Sequence, residues 1–245
     1  MENLKLLAND FIQVMQSTKN LSSKTIIAYD SDLKDFCLYV NGKNIDENSI
    51  IEYITYLTKE RGLRDSTIHR KLVVLKLFFQ YLYSHKYIPE NYYLLHTFKF
   101  KKTMRLPKTL EIKEISILLK YVTEQCHSDI KNSNIWTATR NLALIDILVS
   151  TGIRISEASS IALSDIISSE HTILIHGKGR KQRLIYISCT QTWSNIQRWI
   201  KIRNSKDVHT DKLFVNKYGK QLSIHGVEYI YNKIKTESGI NKKST

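Results

Sequence analysis

A chain of 245 residues is long enough for one large or two modest domains, each with its own core, and too long for a small disulfide-stapled scaffold. Its 37 Lys+Arg against 23 Asp+Glu leave a formal net charge of +14 while 42% of residues are apolar, so the protein is folded and basic, and a polyanion is the first partner to consider. With 2 Pro and 8 Gly the composition excludes collagen-like, linker-rich and many-turned all-β chains, and the 3 scattered cysteines (Cys37, Cys126, Cys189) form no Cys-x-x-Cys pair that would mark a disulfide framework or a cysteine zinc site.

The chain opens Met1-Glu2-Asn3, with an acid where a secretory leader carries basic residues, and its first apolar stretch stops at Asp10. No stretch approaches the roughly 20 apolar residues of a membrane span, so the expectation is a cytoplasmic protein with no membrane partner. Ser22 or Ser23 caps a helix whose apolar positions Ile26, Leu33, Phe36, Cys37 and Val40 follow the 3.6-residue period and which ends near Asn41-Gly42. A second helix is predicted over 50–59. Asp65 or Ser66 caps a third, in which Ile68, Leu72, Leu75, Phe79 and Leu82 form one apolar stripe while Arg70 lies on the opposite face, flanked by His69 and Lys76.

Between 99 and 107 the chain is basic, with Lys99, Lys101, Lys102 and Arg105, no acid and a Pro107 that blocks helix continuation. It reads as a linker between domains at 1–98 and 108–245. The second half opens with an amphipathic helix over 110–122 and an almost wholly apolar one over 141–150, ended by Gly152. Ser156 begins a short helix. The period then changes to two: 172–176 and 183–188 are β-branched runs joined by Gly177-Lys178-Gly179-Arg180-Lys181, a β-hairpin with a cationic, glycine-rich tip. Helices follow over 191–203 and 224–236. The fold class is mostly α, with a helical N-terminal domain and a second α domain carrying a small antiparallel sheet.

Positive charge gathers where it can project: on the Ser66 helix, in the linker and at the hairpin tip. Lys24 and Thr25 at the first helix N-terminus, Ser66, Thr67, Arg70 and Lys76 on the third helix, and Arg180, Lys181 and Arg183 on the hairpin are the candidate contacts to nucleic acid. The competing reading is a surface whose lysines only keep the protein soluble. The 8 histidines form no His-Glu-x-x-His, and no Gly-x-x-x-x-Gly-Lys-Ser/Thr occurs, so no metal site, no nucleotide partner and no cofactor are expected.

One constellation remains. Thr151-Gly152-Ile153-Arg154-Ile155-Ser156-Glu157-Ala158, then Leu163-Ser164-Asp165-Ile166, then Gly177-Lys178-Gly179-Arg180-Lys181-Gln182-Arg183-Leu184, in this order and spacing, resemble the tyrosine recombinase (phage integrase) family, closest to its Xer-like members. The opening Leu106-Pro107-Lys108-Thr109-Leu110 is similar too, and the pattern Ser23, Thr25, Tyr29, Asp32-Leu33 with Phe78-Phe79-Gln80-Tyr81-Leu82 resembles the helical core-binding domain of these enzymes.

The resemblance implies a recombinase that cuts and rejoins duplex DNA through a 3′-phosphotyrosyl intermediate without metal or ATP, with several protomers on paired sites. Arg154 would be the first catalytic arginine, whose planar fork clamps the scissile phosphate. Lys178 would be the hairpin lysine that protonates the departing 5′-hydroxyl, made more acidic by its cationic neighbours. Glu157 either orients these cations or serves as a helix N-terminal carboxylate facing the dipole.

In the family, a His-x-x-Arg segment, a His or Trp and the nucleophilic tyrosine follow the helix matching 224–236. The sequence given runs only to Thr245. The expectation is therefore an incomplete recombinase with no nucleophile in the chain and no complete strand cleavage of its own. It is also expected to leave apolar surface uncovered on the 110–122 and 141–150 helices. The alternative is a catalytically silent DNA-binding protein that occupies recombination sites and modulates a full-length recombinase. Tyr231, on the face of Val227 and Ile234, reads as core, and Tyr229 lies off that stripe.

Overall fold

The computed structural model describes residues 2–19, 21–41, 43, 45–46, 48–94, 109–128, 134–177 and 181–240. The linker expected at 99–107, and Lys178 and Arg180, lie outside the described residues. The chain divides into two compact units, Met1–Arg105 and Leu106–Thr245.

Unit 1 is helical throughout its described elements: α1 (Glu2–Thr18), α2 (Ser23–Tyr39), α3 (Ser49–Thr55) running into a π-turn (Tyr56–Glu60), and α4 (Asp65–Ser84). α1 continues past Asp10, where the first apolar stretch stops. Ala8, Phe11 and Met15 share one face of α1, and burying it against α2 and α4 carries the helix past that acid. Ser22 caps α2 by accepting the Thr25 N–H at 3.2 Å. At α4 the expected cap is corrected: Arg64 holds the cap position without a side-chain bond, and Asp65 and Ser66 are already helical. Asp65 then contributes as an acid in the first turn, facing the positive end of the helix dipole. The α4 stripe meets Phe36, which packs edge-on to Tyr53 at 5.1 Å and to Phe79 at 5.9 Å.

Unit 2 contains α5 (Ile112–Ser128), α6 (Ile135–Thr151), α7 (Ile155–Ser160), β1 (Ile166–Ile167), β2 (Thr172–His176), β3 (Gln182–Tyr186), α8 (Thr190–Arg203) and α9 (Ile224–Glu237). The strands form one antiparallel sheet in the order β1-β2-β3, with Ile166 opposite Ile173 and His176 opposite Gln182. β1, two residues long, is too short to leave a period-2 signal in sequence. α6 is the central helix. Leu142, Ala143, Leu144, Ile145 and Ile147 are all buried, because α5 packs on one side and α8 on another. The expected bare apolar surface is therefore not found on α6, and on α5 it is confined to Ile112 and Ile117 among the described residues.

Gly152 ends α6 in the left-handed region, φ +63°, with its N–H bonded to the Leu148 carbonyl at 3.1 Å. A Cβ there meets no atom within 4 Å, so a Gly152→Ala variant suffers backbone strain alone. Its expected cost is about 1 kcal/mol, read as a lower urea midpoint with an unchanged slope. This stop places Arg154 at the surface two residues later.

Candidate nucleic-acid interface

Arg154 is the cap residue of α7, with extended backbone (φ −69°, ψ 148°), so its side chain leaves the helix at the exposed end. Glu157, three residues on, turns back and accepts the Arg154 backbone N–H on Oε2 at 2.9 Å. The same carboxylate accepts three guanidinium bonds: from Arg154 Nη1 at 3.1 Å, and from Arg183 Nη1 at 3.0 Å and Nη2 at 2.9 Å. Glu157 is 5% exposed while the Arg154 side chain is 74% exposed, so the anchor is buried and the anchored group faces solvent. One carboxylate thus bonds both the helix end and the two guanidiniums. Arg183 contributes most to pulling the Glu157 carboxyl down from the usual 4.5 to about 2, against an opposing effect of burial, and the Arg154 N–H adds to it.

At the base of the hairpin, a side chain on Gly177 would crowd the hairpin's own backbone. A Cβ on Gly177 would sit 3.3 Å from the Lys181 carbonyl oxygen and 3.8 Å from Glu157 Oε1. Gly177 N–H donates to the Lys181 carbonyl at 2.7 Å, closing the base of the turn. β2 carries a second tie. His176 Nε2 lies 2.9 Å from Asp165 Oδ1, and its Nδ1 lies 3.2 Å from Gln182 Nε2. Asp165 in turn accepts the Ala162 N–H at 2.8 Å. The Asp165–His176 pair was not anticipated from sequence, because nothing in the local pattern links a turn acid to a strand histidine.

The expected site residues thus fall into two groups. In unit 2, Arg154, Glu157 and Arg183 meet in one cluster, and Lys181 is exposed at the hairpin base. Both terminal nitrogens of Arg183, expected as a DNA contact, are engaged by Glu157. In unit 1, Lys24, Ser66 and Lys76 are exposed, Thr67 is half-buried, and the half-buried Thr25 hydroxyl pairs with Ser22 at 2.8 Å. Arg70 is held by the carboxylate of Asp32. Tyr231 packs against the core of unit 2, whereas Tyr218 and Tyr229 are exposed. Among the described residues no group of three His, Cys, Asp or Glu side chains is placed to hold a metal ion, and no helix is long and apolar enough to cross a membrane.

Residues 108–245 match the phage integrase family, and residues 8–86 match the phage integrase N-terminal SAM-like domain. The chain belongs to the phage integrase family, the tyrosine recombinases. It is 34% identical over 241 residues to tyrosine recombinase XerC of Bacillus subtilis (strain 168), covering 94% of this chain and 75% of that protein. The fold is shared with the XerH site-specific recombinase bound to palindromic difH substrate, at TM-score 0.71 and 23% identity over 97% of this chain and 69% of that one. It is likewise shared with the lambda integrase bound to DNA, at TM-score 0.73 and 14% identity over 98% and 80%.

Proposed function

We propose that the protein acts on duplex DNA as a site-specific recombinase, in the cytoplasm and alongside further protomers on paired sites. The observation that carries this reading is the solvent-facing Arg154 guanidinium pinned by a buried glutamate, with Arg183 sharing that carboxylate. One Arg154 terminal nitrogen is spent on Glu157, and the rest of the planar fork is left to donate to two non-bridging phosphate oxygens. Because the fork is fixed before DNA arrives, it stabilises the charge that develops on phosphorus-bound oxygen with little reorganisation.

In the reaction that family membership implies, a tyrosine oxygen, its proton released to solvent, attacks phosphorus and forms the 3′-phosphotyrosyl bond. The P–O5′ bond breaks, and Lys178 gives its proton to the departing 5′ oxygen. Arg183 holds the Lys178-bearing hairpin to α7 through Glu157, and the cations of unit 1 grip the flanking duplex. The free thiols Cys37, Cys126 and Cys189 suit a reducing compartment.

The test is titration of a labelled duplex between roughly 50 and 200 mM salt. With four or more phosphates neutralised, log affinity should fall against log salt with a slope of about −4 or steeper. A flat dependence would refute the DNA reading. A nicked duplex that traps a covalent adduct then distinguishes strand cleavage by this chain from occupation of DNA without cleavage.

A further inference from the structure

Arg70 stands on α4 with Ser66 one turn before it, and its side chain is 46% exposed. One of its terminal nitrogens donates to Asp32 Oδ2 on α2, a carboxylate only 2% exposed. The other oxygen of Asp32 accepts from Lys71 Nζ at 3.1 Å, and this ammonium, 8% exposed, also reaches Asp35 Oδ2 at 2.7 Å. Asp35 in turn accepts from Arg61 Nη1 at 2.8 Å and from the Tyr53 hydroxyl at 3.0 Å. Three cations therefore face two carboxylates. Asp32 is shared with a buried lysine, so it fixes the Arg70 guanidinium without cancelling its charge.

We propose that Asp32 is a positioning residue that buttresses Arg70 as a phosphate clamp on duplex DNA, an inference that rests on the DNA-binding reading above. Guanidinium geometry supports it. Five N–H donors lie in one plane, so tying one terminal nitrogen to a buried carboxylate on a neighbouring helix directs the remaining donors outward in a fixed orientation. An unanchored surface arginine would lose rotamer freedom on meeting a phosphate, whereas Arg70 has lost it already on folding.

The experiment uses the full chain and a labelled mixed-sequence duplex of roughly 30 base pairs, titrated at several salt concentrations. Arg70→Gln should weaken binding about tenfold at 0.1 M salt and make the log–log salt slope shallower by about one. Asp32→Asn should produce nearly the same two changes, and the double variant should be no weaker than Arg70→Gln alone. A merely structural Asp32 would lower the urea midpoint and leave the slope untouched.

If Asp32→Asn binds as tightly as the wild type, or more tightly, Asp32 is a competitor for Arg70 and the proposal fails. Should Asp32→Asn not fold, Arg70→Lys decides, because a point-charge ammonium cannot serve the carboxylate and a phosphate in one plane. Loss equal to Arg70→Gln supports the buttress, and wild-type affinity overturns it. A wild-type chain that binds no duplex at any salt refutes the DNA reading itself, whereas a wild type that binds while Asp32→Asn matches it refutes the buttress alone.

Discussion

Replacing Glu157 with Ala is expected to lower the melting temperature of unit 2 by about 8 °C and to weaken duplex binding, with both effects arising from one carboxylate. Four charge-assisted hydrogen bonds end on it, three of them from guanidiniums. Losing this network costs about 2–3 kcal/mol, since the α7 N-terminus loses its cap and two guanidiniums lose their shared partner. Glu157→Gln retains the size and one acceptor, so it should keep the cap bond and recover part of the stability. It cannot pair both arginines, and Arg154 and Arg183 should then repel each other across a neutral amide.

The pH dependence distinguishes this account from simple loss of packing. The folded-state pKa of Glu157 lies below its unfolded value, so its stabilisation is complete above about pH 4.5 and is lost as pH falls through about 2. The difference in unfolding free energy between wild type and Glu157→Gln should therefore be constant near neutrality and shrink from about pH 4.5 downward. A difference that stays constant to pH 2 would show that the glutamate acts through shape rather than charge.

Much of this cluster was legible in the sequence because its parts are local. Glu157 lies three residues from Arg154, within one helical turn, and the glycine-flanked hairpin announces itself by its change of period. The α4 stripe and the Gly152 stop were legible for the same reason. Helix starts were harder. α6 begins at Ile135, six residues before the apolar run that reveals it, because Trp136, Thr139 and Arg140 look like surface. Arg140 is instead buried, donating to the Val215 carbonyl at 3.1 Å and to the Asn141 side chain, and burial pushes its guanidinium pKa down to about 10. Its neighbour Asn141 takes part of the fork, but the buried acceptor that completes it, the Val215 carbonyl, lies 75 residues away, beyond the reach of any local pattern.

The same limit hid Lys71. On α4 it is three residues from Ile68 and next to Leu72, inside the buried stripe, while attention falls naturally on exposed Arg70 and Lys76. Its partners Asp32 and Asp35 are 39 and 36 residues earlier. A lysine within an apolar stripe is a visible anomaly, but naming the acids that permit it requires the α2–α4 packing.

That anomaly yields the other large expected effect. Lys71→Met preserves length and apolar bulk yet removes the ammonium that lies between two carboxylates. Asp32 keeps only Arg70, and Asp35 keeps Arg61 and the Tyr53 hydroxyl, so two acids on adjacent turns of α2 are left facing each other with only half-exposed arginines as cationic partners. Breaking a buried pair by removing one member costs about 3–5 kcal/mol, and the surviving arginines place this case near 3.

Burial alone would raise the Asp35 carboxyl, but the hydrogen bond and charge of Lys71, aided by Tyr53 and Arg61, outweigh it and hold the group below its usual 3.8. The stabilisation from that depression is complete above about pH 4 and disappears as pH falls through the folded value. Urea titrations of wild type and Lys71→Met should therefore differ by about 3 kcal/mol at pH 7 and converge below pH 4. Adding Asp35→Asn to Lys71→Met should restore part of the loss at pH 7, because one of the two facing negative charges is gone. If Lys71→Met is as stable as the wild type, the network contributes no net stability. If the second substitution deepens the loss, the bonds from Arg61 and Tyr53 to Asp35 outweigh its repulsion with Asp32.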